Sequence, residues 1–446
     1  MTENTAVPAP SRPDIGALTT IALGTSVVLW AIAYIGLAPT VRAPEWALLP
    51  IVAMGLLAAG FFVGRSTTLG MRGGIGVGLL LGAINFIIVA SLNGKESTAE
   101  ALTVGLLWIG GATVVSIVLA MIGTAIGTTF RSASASSADW TPRLALLVAL
   151  TTLPLLISGG IVTGLEEGMA VPDWLTTYRY PMMFYPMSMM QEDAGVYVEH
   201  FHRLWGLLVG LSVIMLLVQM RRTRQRPWLQ HLSIGILVAV IIQGILGGTR
   251  VTEDNIALAI MHGIFGQVVF STIVLMAAFT TLRWKQADRQ AASTSSDFQL
   301  SLALVILLVG QLALGAVYRH LNLHPEFAAG FKHSVLGLHI LVACIVAFVA
   351  ITVGVRAKTV HAKAIALPTL GVALMVIVSL QLLLGIGAAA LVMMRGEAVA
   401  IPAMEVAITT LHQATGACLL GTAVLAAAWV RRLYIAPSAT RAAAPA

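Results

Sequence analysis

Charged residues are scarce in this 446-residue chain. Asp, Glu, Lys and Arg make up 10% of it, against about 25% in a typical soluble domain. Hydrophobic residues reach 58%, and the mean hydropathy of +0.91 reflects long apolar runs along the whole length. This composition excludes a water-soluble globular protein and indicates a polytopic helical membrane protein. A transmembrane barrel is disfavoured because it would show short alternating segments instead.

Cysteine is almost absent as well. The two cysteines, Cys344 and Cys418, each lie inside an apolar run, so the sequence contains no disulfide framework and no CxxC metal or redox motif. We interpret both as small apolar packing residues. The segment from Met1 to Pro13 lacks the basic start of a signal peptide, so we expect the first helix to remain in the mature protein.

Because a membrane span needs about 20 apolar residues, the hydropathy pattern predicts an all-α polytopic membrane protein with about twelve transmembrane helices. The predicted helices are 15–38, 46–64, 73–92, 101–128, 142–164, 198–220, 231–249, 255–282, 299–318, 331–355, 364–394 and 404–430.

The basic residues lie in short loops between these helices, which is a topology signal rather than a sign of nucleic-acid binding. The N-terminus, the loops after even-numbered helices and the C-terminus carry 18 of the 26 Lys and Arg residues. The opposite side carries 8 of them, together with 14 of the 19 acids. The positive-inside rule therefore predicts that both termini are cytoplasmic.

Polar breaks predict the domain organisation. A polar segment from Arg131 to Asp139 follows an extra N-terminal four-helix membrane region, 1–138, and all ten histidines lie at or after position 200. A linker at 285–298 then separates a four-helix bundle at 139–284 from a second one at 299–432, and a tail follows at 433–446. The long outer loop 165–197 contains Pro172-Asp173-Trp174 and is a candidate functional lid, while an aromatic belt at the membrane interface is the alternative for its tyrosines.

The last eight helices contain a repeated pattern. The second helix of every pair carries a histidine followed four residues later by a glycine: His202…Gly206, His262…Gly266, His333…Gly337 and His412…Gly416. Three of the preceding helices carry Gln-x-x-x-Gly: Gln243…Gly247, Gln311…Gly315 and Gln381…Gly385. Duplication of a helix pair is the simplest explanation, so we predict two pseudo-symmetric four-helix bundles.

Intramembrane histidines face the bundle interior and are functional candidates. Two histidines on facing helices can ligate a heme iron axially, and the glycine one turn away leaves room for a flat macrocycle. We therefore predict two bis-histidine sites near the outer face, His202 with His262 and His333 with His412. Interhelical hydrogen bonding among small residues is the alternative. A zinc or copper site is disfavoured because no thiolate or carboxylate set accompanies the histidines.

Glu199 lies three residues before His202 on the same helix face, and it distinguishes the first site from the others. The matching positions in the other copies are Ala259, Gly330 and Thr409. An acid beside a heme is costly unless it is paired or performs proton or cation chemistry, which makes Glu199 a candidate catalytic residue. The alternative is an ion pair with Arg203 at i,i+4.

Several segments together resemble heme A synthase, a family shared by bacteria and mitochondria. They are Gly159-Gly-Ile-Val-Thr163, Gly168-Met-Ala-Val-Pro-Asp-Trp174, Glu199-His-Phe-His-Arg203 and Leu411-His412-Gln413. The resemblance covers about residues 142–432 and implies eight helices in two pseudo-symmetric bundles. It also implies an enzyme that oxidises the C8 methyl group of heme O to a formyl group, producing heme A for cytochrome oxidase.

The resemblance implies a division of roles. His333 and His412 would hold a permanent heme b that passes electrons, whereas His202 and His262, with Arg203 beside them, would hold the substrate heme next to Glu199. The sequence departs from the family at several positions. Val171 stands where many members have a cysteine before Pro-Asp-Trp, so thiol-based electron input is not expected.

Further departures are Glu166-Glu167 where small polar residues are usual, and Ser334 after His333 where arginine is frequent. The first four helices have no counterpart in the common eight-helix form, and we assign them no function from the sequence.

Heme A synthase is thus the main hypothesis, and its alternatives are a diheme b-type membrane electron-transfer protein and a heme carrier. The expected cofactor is heme b. The expected partners are the heme O substrate, the lipid bilayer, a heme O synthase and an electron donor, with a homo-oligomer left open and no nucleic acid. The expected location is the cell inner (cytoplasmic) membrane.

Overall fold

The computed structural model describes residues 15–92, 98–131, 139–289, 295–322, 328–396 and 400–435. Parts of several predicted segments therefore lie outside the described residues. They are the N-terminus to residue 14, the polar break at 132–138, the linker positions 290–294 and the tail beyond 435.

Twelve helices in the described part of the chain are long and apolar enough to cross a membrane. They are α1 (Ile15–Gly36), α2 (Glu45–Ser66), α3 (Met71–Leu92), α4 (Thr98–Thr129), α5 (Thr141–Gly164), α7 (Ala194–Arg222), α8 (Pro227–Thr252), α9 (Ile256–Thr280), α11 (Ser295–Asn322), α12 (Ala329–Thr359), α13 (Leu367–Arg395) and α14 (Ala403–Tyr434). Each corresponds to one predicted span. The prediction of an all-α polytopic membrane protein with twelve spans is therefore confirmed.

Most helices extend a few residues beyond the apolar runs that predicted them. For example, α7 begins at Ala194, four residues before the predicted start at position 198. Asp193 caps this helix, and its carboxylate accepts hydrogen bonds from the backbone N–H groups of Gly195 and Val196. At α7, a polar capping residue thus starts the helix earlier than the apolar run alone indicates.

The loop between α5 and α7 contains short elements of its own. Strand β1 (Thr176–Thr177) pairs antiparallel with β2 (Tyr180–Pro181), and the residues between them, Tyr178 and Arg179, have left-handed backbone conformations. A 3-10 turn (Met182–Phe184) and the single-turn helix α6 (Met187–Met190) follow. One further short helix, α10, spans Leu282–Lys285. The predicted outer loop is therefore an ordered structure within the described chain.

The chain divides into two compact units. The first comprises residues up to 154 together with 170–233, and the second comprises 155–169 together with the chain from 234 onward. The predicted domain boundaries at 138, 284, 298 and 432 differ from this division, and they stay predictions.

Within the first unit, close helix packing depends on small residues. A Cβ atom at Gly60 would overlap the backbone carbonyl of Ala120, and one at Gly123 would overlap the carbonyl of Leu57. These contacts pack α2 tightly against α4. Helix α1 in turn packs against α7, where the rings of Trp30 and Trp205 meet edge-on with centroids 5.5 Å apart. The N-terminal helices therefore contact the helix that carries Glu199.

Within the second unit, α11, α12, α13 and α14 form a four-helix bundle in which each helix packs against the next and α14 packs back against α11. The buried side chains of Leu304, Ala350, Leu374 and Ala423 belong to its core. This bundle is the second of the two predicted ones. The helices of the first predicted bundle, α5, α7, α8 and α9, are distributed over both units.

Candidate functional site

In the first unit, Glu199 and Arg203 form a buried ion pair on α7. The Nη2 atom of Arg203 donates to Oε1 of Glu199 at 2.6 Å, and the two side chains are 10% and 3% exposed. The other carboxylate oxygen, Oε2, accepts a hydrogen bond of 2.8 Å from the backbone N–H of Val171. Both oxygens of Glu199 therefore have donors, one on its own helix and one in the loop.

Arg203 is bound to the same loop through backbone carbonyls. Its Nη1 donates to the carbonyl oxygen of Asp173 at 2.7 Å and to that of Thr176 at 3.2 Å, and its Nη2 donates to that of Val171 at 2.8 Å. The planar guanidinium can serve several acceptors at once because its five N–H donors have a fixed geometry. Glu199 and Arg203 together hold residues 171–176 against α7.

Asp173 organises the turn that follows. Its carboxylate accepts hydrogen bonds from the Thr176 hydroxyl and from the backbone N–H groups of Tyr178 and Arg179. Partial burial by itself would raise the pKa of Asp173, but these three hydrogen bonds outweigh it and lower the pKa below its usual value. The ionised carboxylate therefore stabilises the left-handed backbone at positions 178 and 179.

His200 is a third link between α7 and the loop. The side chain is fully buried, its Nδ1 lies 3.0 Å from the hydroxyl oxygen of Thr177, and its ring centroid lies 5.4 Å from that of Tyr185. The sequence did not indicate this role, because its partners lie in an irregular loop. His202, two residues further on, is half-buried on the same helix.

In the second unit, a reciprocal contact joins α8 and α9. The side-chain amide of Gln243 donates to the carbonyl oxygen of His262 at 2.7 Å, and Nδ1 of His262 lies 3.2 Å from the carbonyl oxygen of Gln243. The imidazole packs against Gly247, where an added Cβ would lie 2.8 Å from its Cε1. The Gln-x-x-x-Gly motif therefore creates the space that the histidine ring occupies.

The same contact joins α13 and α14. Nδ1 of His412 lies 3.2 Å from the carbonyl oxygen of Gln381, and a Cβ at Gly385 would lie 3.0 Å from Cε1 of His412. The side-chain nitrogen of Gln381 lies 3.3 Å from Nε2 of the same imidazole. His262 and His412 are thus equivalent members of the repeat.

The third copy joins α11 and α12, but its histidine is His339. The side-chain nitrogen of Gln311 lies 3.0 Å from the carbonyl oxygen of His339 and 3.2 Å from its Nε2, and a Cβ at Gly315 would lie 3.0 Å from its Cε1. His333 lies six residues earlier and is exposed. The histidine that contacts the Gln311…Gly315 motif is therefore His339, and the role of His333 as a heme ligand stays a prediction.

Sequence reasoning missed His339 because its fourth following residue is Ala343 rather than glycine. At two positions, the glycine of the histidine motif makes room for a glutamine side chain, which the sequence did not predict. A Cβ would lie 2.9 Å from Nε2 of Gln243 at Gly266, and 3.2 Å from Nε2 of Gln381 at Gly416. These glycines accommodate the glutamine amide, so at these positions the small residue makes room for the neighbouring helix.

Backbone carbonyls orient two of these histidines. A backbone carbonyl can only accept, so Nδ1 of His262 and of His412 carries the hydrogen, and Nε2 of His412 then accepts from the side-chain amide of Gln381. This tautomer, oriented by a carbonyl, is the common arrangement of metal-ligating histidines.

The glutamines beside these histidines carry unpaired acceptors. The side-chain oxygens of Gln243, Gln311 and Gln381 are buried and have no hydrogen-bond partner among the described residues. Buried polar atoms are normally paired, so a repeated unpaired acceptor next to each histidine suits a place where a bound group or water completes the hydrogen bonding.

These features define a polytopic membrane protein in which histidines on long apolar helices contact a glutamine and a glycine of the neighbouring helix. Residues 175–328 match the model of the COX15-CtaA family, described as cytochrome oxidase assembly protein. The match confirms the resemblance over this part of the chain and supports a role in cytochrome oxidase assembly. It includes Glu199, His202, Arg203 and His262, whereas His339 and His412 lie beyond it. No curated protein was found to match the chain.

Proposed function

We propose that this protein is a heme A synthase, which oxidises the C8 methyl group of heme O to a formyl group. The observation that carries the proposal is the threefold repeated contact in which glutamine and glycine on one helix orient a histidine on the next. The family match over residues 175–328 supports the same assignment.

In this proposal, His412 and His339 hold a resident heme b, with His339 taking the place expected for His333. One observation supports the exchange: Gln311 and Gly315 contact His339 as Gln381 and Gly385 contact His412. When bound, heme b supplies one-electron transfer. The carbonyl oxygen of Gln381 holds the imidazole of His412 in one tautomer and orientation.

His202 and His262 are proposed ligands of the substrate heme, and their pairing stays a prediction from the sequence. Glu199 is proposed to lie beside the reacting centre. Its contacts support a further role as a positioning residue, because with Arg203 it holds residues 171–176 on α7. The ordered loop would exclude water from the neighbourhood of the substrate.

The proposed reaction is tested by mass spectrometry of hemes extracted from the purified protein after co-expression with a heme O synthase. We expect heme A or its hydroxylated intermediate beside heme b. Two heme b molecules per chain, stable to washing and without oxidised product, would instead support a diheme electron-transfer protein. Weak and exchangeable heme in both halves would support a carrier.

The ligand assignment is tested with two single variants on the same helix. His339→Ala should remove the low-spin heme b spectrum of the second half, whereas His333→Ala should retain it because His333 is exposed and lies outside the repeated contact. The opposite result would return the ligand role to His333.

A further inference from the structure

Four charged side chains of the second unit come together at helix ends. Arg319 lies in the last turn of α11, Arg395 ends α13, Glu405 lies in the first turn of α14, and Glu166 follows α5. The arginine side chains are 20% and 11% exposed, so both guanidinium groups are largely withdrawn from water. Buried arginines need acceptors that satisfy their charge.

Arg319 donates through Nη2 to the backbone carbonyl oxygens of Thr163 and Gly164, but neither arginine forms a close pair with the carboxylate between them. Glu166 lies between them, with its Oε1 3.7 Å from Nη2 of Arg319 and 3.7 Å from Nη2 of Arg395. A charge-assisted hydrogen bond between such groups is normally about 2.7–2.9 Å long. Arg395 also forms an ion pair of 3.0 Å with the buried Glu405, but the two contacting atoms are not aligned as a hydrogen bond.

Glu166 is the one member of the cluster that can leave it at little cost. Its side chain is 36% exposed, whereas that of Glu405 is 2% exposed. The backbone of Glu166 is left-handed, with φ of 64°, which is uncommon for a residue other than glycine. Glu166 therefore occupies a loose, shared position between two better-buried cations.

The cluster continues the helix faces that hold the histidines. Gln311, Gly315 and Arg319 recur every four residues and therefore lie on one face of α11, with Arg319 about 6 Å along the axis from Gly315. Glu405 precedes His412 by two turns on one face of α14. Arg395 follows Gln381 by about four turns of α13.

We propose that Arg319 and Arg395 bind an ionised propionate of the porphyrin held by His339 and His412, in place of the carboxylate of Glu166. This inference rests on the proposed heme binding of the second half. The propionates lie on one edge of the heme macrocycle, and axial ligation of the iron leaves the direction of that edge open, so cations beside the site would set it. Planar guanidinium groups bind carboxylates in bidentate geometry, which Glu166 does not achieve here.

The test measures binding rather than activity. Full-length protein with the additional change His262→Ala, which removes a proposed ligand of the other heme, is prepared free of heme. It is then titrated with hemin and with hemin dimethyl ester, whose propionates cannot ionise, while the low-spin absorption band is followed. We expect the free acid to bind about tenfold more tightly than the ester, the effect of one charge-assisted contact.

In the same background, Arg319→Gln and Arg395→Gln should each reduce this preference severalfold. Glu166→Gln should tighten binding of the free acid and leave the ester unchanged, because it removes the competing carboxylate. The matched control is Arg356→Gln, whose arginine pairs with Asp297 elsewhere in the unit and should leave the preference unaltered. Where an arginine-to-glutamine variant does not fold, Arg319→Lys together with Glu166→Gln carries the test.

The outcomes distinguish failure of the propionate site from failure of the proposed heme binding. Equal affinity for acid and ester, with a normal low-spin band, would overturn the propionate site and leave heme binding intact. If neither compound produced a low-spin band, the proposed heme binding itself would be overturned. A preference that persists in both arginine variants would assign propionate recognition to other residues.

Discussion

Single side chains decide how the loop between α5 and α7 is held. Glu199 and Arg203 each have a partner in residues 171–176, and their i,i+4 spacing correctly indicated an ion pair. The loop partners could not be predicted, because Val171 lies 28 residues away in an irregular segment. The contact between Gln311 and His339 could not be predicted either, because His339 lacks the glycine at the fourth following position that marks the other histidines.

Changing Glu199 should separate loop positioning from chemistry. Glu199→Ala removes the counterion of a buried arginine and should destabilise this part of the protein by about 3 kcal/mol. Glu199→Gln retains an oxygen for the Val171 N–H and should cost less. Hydrogen exchange at Val171 and the heme product should both be measured. A glutamine variant with a protected loop and full conversion would contradict a catalytic role.

Acid should loosen the turn at Tyr178 and Arg179. Because the pKa of Asp173 is lowered in the folded protein, its stabilising effect is complete above the unfolded value of about 3.9 and is lost as the pH falls through the folded pKa. Hydrogen exchange at Tyr178 and Arg179, corrected for intrinsic rates, should therefore accelerate below that range. Asp173→Asn should show fast exchange at every pH, and a pH-dependent asparagine variant would refute this cause.

Among the helices, the repeated unit is a pair of neighbouring helices rather than a motif on one helix. Each Gln-x-x-x-Gly segment supplies both the space and the hydrogen bonds that orient a histidine on the next helix, as for Gly315 and His339 or Gly385 and His412. Glycine is needed at these positions because the facing imidazole ring approaches the backbone closely. The same residue type at Gly310 has no described atom within 4 Å of an added Cβ.

Adding one methyl group tests this arrangement. Gly315→Ala places a Cβ 3.0 Å from Cε1 of His339, so the imidazole must shift. We expect the low-spin heme b signal to weaken while helical content is maintained. Gly310→Ala, on the same helix, is the matched control and should be silent. An unchanged spectrum for Gly315→Ala would show that the ring position is not critical for heme binding.

Across the whole molecule, the extra N-terminal helices have a structural role that hydropathy could not indicate. Helix α1 covers α7 through Trp30 against Trp205 and through Tyr34 against Tyr197 and Phe201. The Tyr197 hydroxyl also donates to the carbonyl oxygen of Tyr34 at 2.6 Å. The rings of α7 in these contacts are almost fully buried, so the N-terminal region supports the helix that carries Glu199 and His202.

Weakening this contact should therefore affect the first unit. Trp30→Ala removes a ring that is 1% exposed and donates to Asn85, and it should reduce stability by about 3 kcal/mol. Val28→Ala, at a position 58% exposed on the same helix, is the control. Thermal unfolding in detergent measures both. Equal midpoints for the two variants would show that α1 does not support α7.

The local sequence was sufficient to predict the twelve helices, because each bilayer span must be long, apolar and internally hydrogen-bonded. The motifs of His262 and His412 are complete along the chain, and their role as iron ligands stays a prediction. The choice of His339, the loop contacts of Glu199 and the packing of α1 on α7 depended on tertiary structure. These features join segments far apart in the chain, and helix register and ring packing between such segments are decided by mutual fit rather than by local propensity.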